Sequence, residues 1–401
     1  MIDMNHAICN IKVVGVGGAG NNAVNRMVTA GITSAYFVAV NTDKQVLMVS
    51  KADEVLQIGK NLTKGLGAGS NPEVGKAAAE ESKEDLMKML QGTDLLFLTT
   101  GLGGGSGSGA SPVIAKLARE MGILTIGVVT KPFGFEGRTR KINAEKALEE
   151  MKKYCDTLII IPNDKLLHVL KKDISFEDSM RYADDILRQA VQGVSDLIVK
   201  PSLINLDFAD VSTITKNKGR AHMGIGKGRG ANKTLEAVRQ AVTSQLLETS
   251  IEGATGILIN ISGGRDLTLS EVYEAVDLVR DVADPECNII FGATINNDTN
   301  GETEITVIAT GFDIKDGERR EPVPEFKDNS ADFKPFVEPV EPEVAAEPEV
   351  EQLAETPVEV KVEMPKPEPQ RADKVQDISV KAARPVVKDE DIPPFLRKLR
   401  R

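Results

Sequence analysis

The chain has 401 residues, 41% of them hydrophobic and 27% charged, with a net charge of −11 and an isoelectric point near 5.1. That length accommodates two or three domains of ordinary size, and the acidic balance argues against a nucleic-acid binder, which would show a basic face. Cys9, Cys155 and Cys287 lie far apart, as do His6, His168 and His222, which argues against a disulfide framework and against a metal cluster.

Met1–His6 lacks the basic and apolar regions of a signal peptide. No apolar run reaches the roughly 18 residues of a membrane span. A cytoplasmic protein with no direct membrane insertion is expected.

The first strand is read at Ile11–Val14. Gly15-Val16-Gly17-Gly18-Ala19-Gly20-Asn21-Asn22 follows, and a helix is predicted from Ala23 to about Ala30. Gly15, Gly17 and Gly20 satisfy G-x-G-x-x-G between a strand and a helix. A second strand, Tyr36–Val40, ends in Asn41-Thr42-Asp43. An acid about 20 residues beyond the glycines is what a nicotinamide site places on ribose, so a dehydrogenase is a rival at this point.

Lys64–Gly69 is a further glycine-rich loop, holding Ala68 and Gly69. Asn71-Pro72-Glu73 reads as a helix start, with a cap, a first-turn proline and an acid. That helix is predicted to run to about Leu90.

Leu95–Thr100 reads as a buried strand, followed by the glycines Gly101-Leu102-Gly103-Gly104-Gly105-Ser106-Gly107-Ser108-Gly109. A helix is predicted over Ala110–Glu120, with Pro112 in its first turn. Strand, glycine loop and helix together make a phosphate cradle: free N–H groups, a positive dipole end and no Cβ in the way. A mobile linker is the alternative that Gly/Ser composition alone would suggest. The pattern is not a Walker A loop, because no Gly-Lys pair here is followed by Ser or Thr. Two glycine loops in one sheet suit a longer phosphate chain better than a nicotinamide site, which needs one.

Ile123–Thr130 and Leu158–Ile161 read as further strands, the second ending at Pro162-Asn163-Asp164. Between them Glu136 and Arg140 stand four apart on a helix, which by itself reads as a surface ion pair. Strands alternating with helices give a doubly wound, mostly parallel α/β sheet. Phe176–Lys200 is one long helix with an apolar face of Ala183, Leu187, Ala190, Val191, Val194, Leu197 and Ile198.

Beyond Asn205-Leu206-Asp207-Phe208-Ala209-Asp210 the pattern becomes α+β. Helices are predicted near Asn232–Thr249 and Leu269–Val282, and strands at Gly256–Ile261, Asn288–Thr294 and Glu304–Thr310. Gly224–Gly230 is read as a structural turn. Order is expected to end near Gly317. All 35 glycines lie at or before it, whereas 13 of the 19 prolines lie after it, so the acidic, Pro-rich stretch that follows reads as a disordered tether. In Asp389–Arg401, Ile392, Phe395, Leu396 and Leu399 form an apolar face beside a basic end, as a docking peptide does.

Gly103–Gly109 resembles the tubulin signature loop, with Ser106 where a threonine is usual. Gly17–Asn22, Asn41–Asp43, Asn205–Asp210 and Asp391–Lys398 continue the resemblance in order and spacing, from about Asn10 to Phe312 and again over the last dozen residues. The chain is thereby identified as similar to the tubulin/FtsZ family of self-assembling GTPases.

The resemblance implies a GTP-binding domain over residues 1–175 and a central helix over 176–200. An α+β domain over 201–316, a linker over 317–388 and a partner-binding peptide over 389–401 complete the chain. It implies GTP or GDP with Mg²⁺ held mainly through the phosphates. The nucleotide contacts it implies are Gly17, Gly18, Ala19, Gly20, Asn21, Asn22, Asn41, Asp43, Ala68, Gly69, Gly103, Gly104, Gly105, Ser106, Gly107, Glu136, Arg140, Asn163 and Asp184. Of these, Asn163, Asn22 and Asp184 would read guanine, since a carboxylate accepts from both N1–H and the 2-amino group. Met180 stands where the family stacks a phenylalanine on the base.

Asn205, Asp207 and Asp210 would act on the nucleotide of the next subunit, the two acids orienting and polarising water. Without the resemblance, Asp207 and Asp210 read as first-turn helix acids. The implied partners are further copies of the chain, plus membrane-tethering and regulatory division proteins at Asp389–Arg401. The implied place of action is the mid-cell division site. A dehydrogenase and a non-hydrolysing nucleotide-regulated scaffold are the alternatives.

Overall fold

The computed structural model describes residues 9–169, 174–200, 202–204, 206–244, 251–295 and 301–312. The chain divides into two units, Met1–Pro324 and Glu325–Arg401, and every described residue belongs to the first. The tether and the Asp389–Arg401 peptide lie outside the described residues.

Strand β1 (Ile11–Val16) leads through α1 (Gly17–Thr29), β2 (Tyr36–Asn41), α2 (Lys44–Met48), β3 (Glu54–Gln57) and α3 (Lys60–Thr63) to α4 (Pro72–Glu81) and α5 (Lys83–Leu90). Next come β4 (Leu95–Gly101), α6 (Gly105–Glu120), β5 (Leu124–Lys131), a 3-10 turn at Gly134–Glu136, α7 (Arg138–Tyr154), β6 (Thr157–Pro162), α8 (Asn163–Val169) and the long α9 (Phe176–Val199). The remainder comprises α10 (Phe208–Thr215), β7 (Gly219–Arg229), α11 (Lys233–Val242), β8 (Gly256–Gly263), α12 (Leu269–Val282), β9 (Asn288–Ile295) and β10 (Glu302–Thr310).

The strands join in the order β3-β2-β1-β4-β5-β6-β7-β10-β8-β9. From β3 through β7 every pairing is parallel, and β10 runs antiparallel to both of its neighbours. Period-2 alternation splits each central strand between two cores. Val13, Phe97 and Ile126 pack with α1 and α9 on one face. Val14, Leu96 and Leu98 pack with α4, α5, α6 and α7 on the other. A third core lies among β8, β10, α11 and α12.

Helix α9 forms as its apolar spacing predicts. Ser175 caps it by accepting from the Asp178 N–H, and Ala183, Leu187, Ala190, Val191, Val194, Leu197 and Ile198 are all buried. Elsewhere the glycines mislead. Helix α6 starts at Gly105 rather than Ala110, so Pro112 is its eighth residue instead of a first-turn residue. Gly109 is a contact point with α4, where a Cβ would lie 2.0 Å from the Pro72 carbonyl oxygen, and Gly107 with β4, where a Cβ would lie 2.5 Å from Thr100 Oγ1. Likewise α1 begins at Gly17, well before Ala23.

The predicted turn at Gly224–Gly230 is for the most part strand β7. Its alternate glycines Gly224, Gly226 and Gly228 form a bare face on which α11 lies. A Cβ on each would fall 1.8–1.9 Å from the carbonyl oxygens of Ala241, Ala237 and Lys233. The helix predicted over 71–90 breaks at Ser82, whose hydroxyl accepts from the Gly59 N–H at 3.0 Å. Helix α11 ends at Val242, short of the expected Thr249, and residues 245–250 lie outside the described set. The short α2 and β3 carry too little periodicity to be read in advance.

Candidate functional site

Strand order reverses between β1 and β4, which is where an open parallel sheet opens a crevice at its carboxyl edge. Helix α1 leaves β1 toward one face and α6 leaves β4 toward the other, so both amino termini border that crevice. Val16 and Gly104, the residues before these helices, make no side-chain cap, and neither first turn carries an acid. The leading N–H groups of both helices are thus left for an anion.

The two glycine loops touch through their backbones. Gly17 has φ +71°, and a Cβ there would lie 2.9 Å from the Gly107 nitrogen. Gly103 has φ +107°; its N–H donates to Ser108 Oγ at 2.7 Å, and a Cβ would meet Arg140 at 3.0 Å. The Thr42 and Ser106 hydroxyls share a hydrogen bond at 2.7 Å, tying the end of β2 to the loop. Thr100 Oγ1 donates to the Val16 carbonyl at 3.0 Å.

Asn21 is fully buried, and its amide reaches the carbonyls of Gly15, Gly17 and Val40 at 2.9, 2.7 and 3.2 Å. Its side chain shapes the β1–α1 turn, while Gly18, Ala19 and Asn22 are exposed beside it. Asn41 accepts from the Asp43 N–H at 3.2 Å, and Asp43 caps α2. Ala68 packs on Gly105, with Gly69 exposed next to it.

Beyond the loops, a cleft of about 610 Å³ runs between α1 and α9. Asn22 and Arg26 line it from α1, and Met180 and Asp184 from α9. Arg26 Nε donates to Asp184 Oδ2 at 3.2 Å. Burial pushes the Asp184 carboxyl above its ordinary range, and the Arg26 guanidinium pulls in the opposite direction. Asn163 opens α8 at the end of β6, and its buried Oδ1 has no hydrogen-bond partner among the described residues. Glu136 accepts from the Phe133 N–H at 2.9 Å and from Arg140, which fixes both side chains beside Gly103.

The structure therefore gathers the sequence-predicted nucleotide residues along one edge and its adjoining cleft. Asp207 and Asp210 are elsewhere. They cap α10 reciprocally: the Asp210 N–H donates to Asp207 Oδ1 at 2.8 Å, and the Asp207 N–H to Asp210 Oδ2 at 3.3 Å. Asn205 lies outside the described residues.

Helix α9 runs from this cleft toward the opposite, amino edge of the sheet. Near its end Asp196 accepts from Ser34, just ahead of β2, at 2.9 Å. The Leu206 N–H folds back onto the Leu197 carbonyl at 3.3 Å. The end of α10 is held at the start of β6, where Thr157 Oγ1 donates to the Thr215 carbonyl. From Asp184 to Leu197 the helix rises roughly 20 Å, so the two acids and the glycine loops occupy opposite edges.

Sequence reasoning missed Arg26. The available signal was its spacing from Asn22, since residues four apart share a helix face. Among the described residues, no helix is long and apolar enough to cross a membrane.

Comparison with known proteins places the fold and the family. The model of the Tubulin/FtsZ family GTPase domain matches residues 10–171, and that of the FtsZ family C-terminal domain matches residues 219–313. An empty FtsZ dimer from M. jannaschii is 44% identical with TM-score 0.74, the match covering 76% of this chain and 89% of that one. CetZ2 from Haloferax volcanii, solved as a GTPgS-bound protofilament, is 23% identical with TM-score 0.63 over 75% of this chain and 92% of its own, a likeness of fold. CetZ1 from the same organism, a GDP-bound monomer, is likewise 23% identical, with TM-score 0.66 over 75% and 94%.

Proposed function

This chain belongs to the tubulin/FtsZ family of GTPases, and we propose that it polymerises head to tail into filaments whose GTP is hydrolysed in the seam between two copies. The observation that carries this reading is the separation of the two halves of the site. Glycine loops ready for phosphate border the carboxyl edge, whereas Asp207 and Asp210 cap a helix at the opposite edge. A copy stacked head to tail on the carboxyl edge would bring its acids to its neighbour's γ-phosphate.

In this reading Gly17, Gly18, Ala19, Gly20 and Gly103–Gly107 offer N–H groups to the phosphates, supported by Asn41, Asp43, Ala68 and Gly69. Glu136 and Arg140 hold the ribose side, and Asn22, Asn163 and Asp184 read the guanine edge. Phosphoryl transfer asks for positioning and charge balance, which a seam holding two carboxylates and a water supplies. Mg²⁺ fits such a site as a counter-ion carried on the phosphates. Thr42 and Asp43 after β2 and Ser106 in the glycine loop carry side-chain oxygens that would help to hold the ion, which would neutralise charge developing on the β- and γ-phosphates.

The dehydrogenase and the non-hydrolysing scaffold are not favoured, since both glycine loops fall within the matched GTPase domain. The cellular role we infer is the bacterial division ring, built in the cytoplasm at mid-cell. Asp389–Arg401 would dock adaptor and regulatory proteins.

The test is a dilution series with phosphate release as the readout. A seam site predicts that activity per molecule rises with protein concentration above a threshold. Activity per molecule that stays constant on dilution would place a complete site within each copy and end the reading.

A further inference from the structure

We propose that Arg26 is a positioning residue for base selection, holding one oxygen of the Asp184 carboxylate from across the cleft and leaving the other to the base. The proposal rests on the reading of Asp184 as the residue that binds guanine. Its geometry is that of two facing pairs, Asn22 with Arg26 on α1 and Met180 with Asp184 on α9, each four residues apart and so on one helix face. Arg26 engages Asp184 through a single contact, Nε to Oδ2 at 3.2 Å. Asp184 Oδ1 has no hydrogen-bond partner among the described residues. A carboxylate so held keeps acceptor sites for both N1–H and the 2-amino group of guanine while one lone pair stays on the arginine.

The charges around Asp184 leave this task to Arg26. From α9, Glu177, Arg181, Asp185 and Arg188 line the same cleft. Arg181 is paired with Glu177 and Asp178, and Arg188 with Asp185. Asp185 adds like charge and Asp184 is largely buried, and both effects favour the protonated carboxyl. From α1 the one cation lining the cleft is Arg26. A protonated carboxyl offers guanine one acceptor instead of two, which erases the advantage of a base carrying a 2-amino group. Arg26 opposes both effects, favouring the ionised form of the base-reading group and orienting it.

The experiment measures affinities of the full chain for GTP and for ITP, which lacks the 2-amino group, from about pH 5 to about pH 8. Taking their ratio cancels titration of the phosphates. Wild type should favour GTP by about tenfold or more, the worth of one hydrogen bond to a charged acceptor. In Arg26→Met the ratio should collapse toward one as pH falls, with a midpoint at higher pH than the wild type's. If thermal melting shows that Arg26→Met does not fold, Arg26→Gln, which also removes the charge, is read by the same criterion. A wild-type ratio and midpoint in the folded variant would overturn the role of Arg26. Asp184→Asn separates the two layers: an unchanged ratio in that variant would instead overturn the assignment of Asp184 to the base.

Discussion

Asp184 illustrates what a single side chain costs and returns. Its carboxyl is pushed above the ordinary range first by burial, with Arg26 opposing. A raised folded-state value means that the stability it contributes is complete below the unfolded value of about 4 and is lost as pH rises through the folded value. Asp184→Asn has no such loss. The melting temperature of Asp184→Asn relative to wild type should therefore climb between about pH 4 and neutrality, while its GTP affinity at neutral pH falls about tenfold or more. Melting curves of both proteins across that range check the first half. A difference that shrinks with rising pH would mean that burial is not the dominant influence on this group.

At the scale of elements, glycine placement decides what could be read in advance. The apolar runs of β1, β4, β5 and β6 and the spaced face of α9 were legible, because burial on both faces or on one stripe leaves a pattern. The start of α6 and the whole of β7 were not, because glycine looks like a loop residue unless a neighbouring backbone is known to lie against it.

Strand β7 gives a test with opposite signs. By intrinsic preference Gly226→Val should strengthen a strand. In this fold the new Cβ would sit 1.9 Å from the Ala237 carbonyl oxygen and 2.7 Å from the Ala241 nitrogen. We expect a destabilisation of about 3 kcal/mol, at the upper end for overpacking. By contrast Gly230→Asn, at φ +82° with open space around it, should stay within about 1 kcal/mol of wild type. Denaturant midpoints of the two variants measure both. The candidate site divided in the same way: its glycine loops were legible from motif, Asp184 only through resemblance to a family. Arg26 offered one signal, its four-residue spacing from Asn22 on a shared helix face, and that signal gains meaning when its partner across the cleft is seen.

In the proposed reading the molecule carries two half-sites on opposite edges, and Asp389–Arg401, outside the described residues, is a docking peptide. Deleting that peptide should leave concentration-dependent GTP hydrolysis intact while abolishing recruitment to adaptor proteins, which pull-down and phosphate release measure side by side. The half-sites themselves admit a complementation test. Asp210→Ala removes an acid from one edge; Asp207 still caps α10 through its own side chain, so the helix start survives. Its partner should block the other edge without disturbing the fold, and Gly104→Asp is suited to this. Gly104 precedes α6 at φ −83°, which any residue adopts, and a Cβ there meets nothing within 4 Å. An aspartate in that position is a favoured helix cap. It would occupy the N–H groups otherwise offered to phosphate and repel the nucleotide by charge. Alone, Asp210→Ala should bind GTP and barely hydrolyse it, and Gly104→Asp should lose nucleotide affinity by tenfold or more, about 1.4 kcal/mol. Mixed in equal amounts, they form one kind of seam in which an intact pocket meets intact acids. Phosphate release from the mixture should exceed the sum of the separate proteins. A mixture no more active than its parts, with both variants folded and associating by light scattering, would show that the two edges never complete each other's site.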